Sequence, residues 1–169
     1  MQVNEFGRTG MIGIRLRILE AEVLKMMDSN SELLTYIHQN SEMGKDTLRQ
    51  LIGVTNDPGF QLLLQSQFSE YNAVSNISAQ KLKARHKEAK DINPLTKASA
   101  YLSINLNTLA NKKPSRLSEM IIKGSTMGVI DITRKINEYQ MTADKDVVDL
   151  AGTLLNIEEK NIEECKKYL

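Results

Sequence analysis

The stretch DINPLTKASAYLSINLNTLANKKP, Asp91 to Pro114, is the one on which the fold turns. Asn93-Pro94 has the character of a helix start. Leu102, Ile104 and Leu106 alternate with polar residues at the period of a strand, whereas Leu95, Ala98, Leu102 and Leu109 fit a helix. A helix is the expectation for this segment, closed by NKKPS at 111–115. A connection this long need not be a tight turn. It can carry the chain from one end of a bundle to the other, so that the helices before and after it run parallel.

On the upstream side, a helix is expected over about 58–87. Asp57 is placed to cap it and Pro58 takes the first helical position, where its missing N–H does no harm. Its inward stripe reads Phe60, Leu63/Leu64, Gln67, Tyr71, Val74, Ile77/Ser78 and Leu82, and it ends in the basic run KLKARHKEAK, which suits a helix C-terminus. Before it, Ser29 and Glu32 have capping-box spacing and open a helix over about 30–53, with Leu33, Ile37, Ser41, Gly44, Leu48 and Leu51 on one face and Gly53 at its end. Residues 1–10 read as a polar start. Residues 11–27 place Ile12, Leu16, Leu19, Val23 and Met26/Met27 at helical spacing, an amphipathic extension. Downstream, a third helix over about 115–139 carries Leu117, Ile121, Gly124, Gly128 and Ile132. Thr142 caps a fourth over about 143–168, with Val147/Val148, Ala151, Leu154/Leu155, Ile162 and Cys165 inward. Short turns within the first and last pairs force antiparallel neighbours. The expected fold is therefore all-α: an up-down four-helix bundle at 29–169 with one long crossover, preceded by an N-terminal helical extension at 1–28.

Composition narrows the function. The chain has 169 residues, enough for one domain with its own core. Lys and Arg total 22 against 21 Asp and Glu, so no global charge calls for nucleic acid or an anionic membrane. The basic run KLKARHKEAK lacks interleaved aromatics and is a poor nucleic-acid signal. No apolar run reaches the length of a membrane span. The N-terminus lacks the uninterrupted apolar core of a secretory signal, and a lone Cys165 cannot form an intrachain disulfide; both fit a cytoplasmic, reducing setting. Two separated histidines and one cysteine exclude a structural zinc site. No phosphate loop or nucleophile elbow is present.

The segment AYLSINLNTLANKKPSRLSEMIIKGSTMG, 100–128, resembles the connection and third helix of small bacterial ferritin-like domains of uncharacterised function. Ser103-Ile104-Asn105-Leu106 stands where those domains carry a W-I-N-L type segment, and Lys123-Gly124-Ser125-Thr126 where they carry R-G-E-D. With the crossover topology, the resemblance extends over about 30–168. It implies a ferritin-like bundle, and with it a di-metal site in which two helices each give a Glu and two each give Glu-x-x-His. This chain has no Glu-x-x-His. Thr35 and Lys83 stand three residues before its two histidines, His38 and His86. Ser125 and Thr126 occupy the acidic positions of the third helix, and Ser41 and Gly44 the inward ones of the first.

Four residues remain as remnant metal candidates. Glu70 lies on the second helix with Ala73 where a histidine would stand, and Glu158 on the fourth with Asn161 in that place. Asp131 is partly inward on the third. A solvated or hydrogen-bonded Glu is the plainer account, since Glu is seldom buried unpaired. Gly124 and Gly128 form a small-xxx-small pattern, and two helix-interior glycines imply close packing, with Gly44 facing them, or a gap that holds a ligand. His38 with Glu42 reads as a surface pair, His86 as solvated, Cys165 as an inert core thiol and the methionines as gap-filling core. The expected function is a non-catalytic structural or protein-interaction role without a cofactor, through a protein partner or a homodimer supported by 11–27. The alternative is an atypical iron or manganese oxidase or store using the remnant carboxylates.

Overall fold

The computed structural model describes residues 6–89 and 112–169. The helix expected over 95–109 lies outside them. The described residues form four helices and no strand: α1 (Phe6–Val54), α2 (Pro58–Ala84), α3 (Pro114–Tyr139) and α4 (Lys145–Lys166).

The first departure from expectation is at Ser29. No cap forms there. Its hydroxyl donates to the Lys25 carbonyl one turn back at 2.9 Å, Ser31 does the same to Met27 at 3.0 Å, and α1 continues unbroken through both. Glu32, the other half of the capping-box pattern, instead accepts the Tyr139 hydroxyl of α3. The Asp57 cap forms as read: its carboxylate accepts Phe60 N at 2.8 Å, with Pro58 opening the helix. Helix α4 starts two residues later than expected. Asp144 is its N-cap, while Thr142 donates back to Tyr139 O.

Helix α2 ends in a Schellman motif. Lys87 N reaches Leu82 O and His86 N reaches Lys83 O, both at 3.0 Å, and His86 takes the left-handed conformation at φ 55°. That conformation crowds any Cβ. Replacing His86 by Gly is expected to raise stability by about 0.5–1 kcal/mol in a urea titration, with no change in the slope.

Contacts set the helix directions. Ile52 O accepts from Gln61 at one end of α1–α2 and His38 meets Ser75 further along, so the two are antiparallel. Gln67 with Glu164, and Lys81 with Asp146, make α2 and α4 antiparallel. Gly128 lies against Glu158, and Ser118 faces Cys165, so α3 and α4 are antiparallel too. Helices α2 and α3 therefore run the same way, as the long connection between them allows.

Both ends of the bundle are apolar. The Phe60 and Tyr168 rings meet at a tilt near one end, 4.8 Å between centroids, with Leu51, Leu64 and Leu117 fully buried. Leu33, Leu34, Ile37, Ile132 and Val147 fill the other. There the helices are also tied by Arg85 to Asp144 at 2.9 Å and by Asn30 accepting Asp144 N at 2.7 Å. Beyond Asn30 the helix leaves the bundle. At ~1.5 Å per residue, residues 6–28 project roughly 35 Å.

Candidate functional site

Between the apolar ends lies a polar layer at mid-length, to which every helix contributes. Tyr71 comes from α2, Ser125 from α3, and Glu158 and Asn161 from α4; all four are buried. Helix α1 gives Gly44, with no side chain. The i, i+3 spacing of Glu158 and Asn161 puts both on the inner face of α4. Asn161 Nδ2 donates to the Tyr71 hydroxyl at 3.1 Å, and the Tyr71 and Ser125 hydroxyls face the Glu158 carboxylate.

Two glycines make this layer possible. A Cβ at Gly44 would lie 2.8 Å from the Tyr71 ring, and one at Gly128 would lie 2.7 Å from the Glu158 carboxyl carbon. They are required because helix backbone approaches a large side chain of its neighbour. Gly124 behaves differently from the packing role expected of it. It is exposed, and a Cβ there would meet nothing within 4 Å. It forms part of the wall of a cleft of about 130 Å³ that also takes in Gly44, Gly128, Tyr71, Glu158 and Asn161.

Glu158 is 4% exposed, and among the described residues no Lys or Arg forms an ion pair with it. Burial pushes its carboxyl up to about 7, against the opposing pull of the Ser125 and Tyr71 hydroxyls. The Tyr71 hydroxyl is raised by its own burial and then by the nearby Glu158 charge. Burial also raises the Cys165 thiol, which sits 3.7 Å from Gln67 Nε2 in the core.

The four remnant candidates do not come together. Glu158 and Asn161 share the central layer. Asp131 stands at the rim of the cleft, exposed, 3.4 Å from Arg134. Glu70 turns to the outside of α2 and pairs with Lys160. It lies one residue off the inward stripe defined by Gln67, Tyr71 and Val74, so its carboxylate stays half in water. Among the described residues, no three His, Cys, Asp or Glu side chains are placed to hold a metal ion. One buried carboxylate among hydroxyls and an amide does not fit di-metal chemistry, which needs several anionic oxygens.

His38 is the residue that sequence reasoning placed wrongly. It is buried between α1 and α2, with Nδ1 3.2 Å from Ser75 O and 3.4 Å from the Ser75 and Ser78 hydroxyls. Glu42 accepts from Ser75 and, at 2.7 Å, from Lys45. The Lys45 and Ser75 hydrogen bonds hold its carboxyl below the usual range despite partial burial. The signal was the serine pair on α2: Ser75 and Ser78 share the inner face with Tyr71 and Leu82, and a buried serine face needs a polar partner.

No described helix is long and apolar enough to cross a membrane. No family model, curated protein or solved structure matches the chain.

Proposed function

We propose that this chain is a ferritin-like bundle whose di-metal ligands have been replaced, and that it acts through protein contacts, pairing with a second copy through its projecting arm. The helix directions support the first part. Helices α2 and α3 are parallel, and the polar layer draws on all four helices at mid-length, where ferritin-like bundles carry their ligands. In that layer the first helix gives Gly44, with Asn40 and Thr47 along the cleft, the third gives Ser125, and the fourth a Glu with asparagine three residues on. An iron or manganese oxidase or store would need Glu70, Asp131, Glu158 and Asn161 to converge, and Glu70 and Asp131 lie away from the other two.

The observation that carries the reading is the arm. Leu19 (58% exposed), Val23 (54%), Met26 and Met27 lie along one face of α1 beyond the bundle. An apolar stripe on a projecting helix is a contact surface. Arg15 and Glu22 border one edge of the stripe and Glu20 the other. A second arm laid antiparallel puts Arg15 of one copy opposite Glu22 of the other, twice across a two-fold axis, and leaves the bundles at opposite ends. The polar face mixes Arg15, Arg17 and Lys25 with Glu20, Glu22 and Asp28, so it lacks the basic excess of a helix that lies on anionic lipid.

Charge reversal tests the pairing. Arg15→Glu faces Glu22 with like charge and is expected to weaken the dimer at least tenfold in sedimentation velocity. Adding Glu22→Arg is expected to restore it. A double variant no tighter than the single one would rule out this register.

A further inference from the structure

The central cleft has a chemical character that the arm-mediated role does not use. It contains a buried carboxylate without a cation, and a buried acceptor without a donor. Asn161 is 1% exposed and lines the cleft; its Nδ2 is committed to Tyr71, and its Oδ1 has no hydrogen-bond partner. Glu158 lines the same space. Buried polar atoms left unmatched are rare, because each loses water without compensation. Leu48, Met120 and Ile121 supply an apolar wall opposite, and Gly124 leaves that wall open.

The geometry points to a binding site for a small primary alkylammonium ion, its ammonium group on the Glu158 carboxylate and Asn161 Oδ1 and its alkyl chain against Leu48, Met120 and Ile121. The volume of about 130 Å³ is that of cavities that take benzene-sized ligands, so about six non-hydrogen atoms fit. An anion would meet Glu158 inside and Asp131 at the rim. A purely apolar guest would leave both the carboxylate and the amide oxygen unmatched. A metal ion would find only one carboxylate. An ammonium group is compact, cationic and carries three donors. It satisfies both acceptors.

The test is isothermal titration of the full chain at pH 8 with n-butylammonium chloride, and with n-butanol as the neutral match. Saturable butylammonium binding is expected, with butanol at least tenfold weaker. Glu158→Gln is expected to weaken butylammonium at least tenfold. Gly124→Leu, which adds its side chain where the wall has room, is expected to block it while leaving the helical circular dichroism unchanged. No saturable binding to the wild-type chain would overturn the assignment. So would equal affinity for butanol, or undiminished binding by a folded Glu158→Gln or Gly124→Leu variant.

Discussion

Glu158→Gln is expected to make the protein more stable at pH 8, by about 3 kcal/mol. The sign follows from the direction of the shift. Burial raises the folded-state carboxyl from its ordinary 4.5 to about 7, so the folded protein binds a proton more tightly than the unfolded chain. Stability from this group is complete below about pH 4.5 and is lost as the pH climbs through 7. At ~1.4 kcal/mol per pH unit, the interval gives the stated size. Glutamine keeps an oxygen that can accept from Tyr71 and Ser125, and it carries no charge to desolvate. The gain should therefore fade as the pH is lowered and vanish near pH 4. Urea titrations of both proteins from pH 4 to 8 measure it. A gain that does not change with pH would mean that packing, not charge, governs the site.

Gly44→Ala is expected to destabilise the bundle by about 2 kcal/mol, although Ala is the better helix former by about 1 kcal/mol. The new Cβ would overlap the Tyr71 ring, with three ring atoms at 2.8–2.9 Å. That ring is buried and its hydroxyl is held in the Asn161–Glu158 network, so it cannot simply swing away. Gly124→Ala is the internal control: with nothing within 4 Å of its Cβ, the propensity gain of about 1 kcal/mol should appear undiminished. Thermal unfolding of the two variants should shift the midpoint in opposite directions. A shift of the same sign for both would remove the close-approach account of Gly44.

The inward stripes of the four helices were legible because burial follows the 3.6-residue period. Leu33, Ile37 and Leu48, Phe60, Leu64 and Tyr71, Leu117 and Ile132, and Ala151 and Leu154 are all buried as their spacing requires. The parallel course of α2 and α3 was legible from the length of one connection. Ile77 departs from the inward place expected of it. It is 42% exposed because the stripe passes through Val74, Ser75 and Ser78. The Ser29–Glu32 pattern failed for a different reason. A serine in mid-helix can satisfy its hydroxyl on the carbonyl four residues back, so the same letters serve a continuing helix as well as a new one. In the candidate site, Glu158, Asn161, Gly44 and Gly128 could be read from helical phase. Tyr71 is buried as its stripe requires, whereas His38, expected at the surface, is buried too. Its partners Ser75 and Ser78 lie on another helix, which no single-helix periodicity contains.

The central claim is that the arm of α1 exists to meet its own copy. Sedimentation equilibrium of the full chain in the micromolar range measures this most directly. The account predicts a mass of twice the chain's 19.1 kDa, falling to a single chain when Leu19 and Val23 are both changed to Glu. A single-chain mass for the wild-type protein across that range would contradict it.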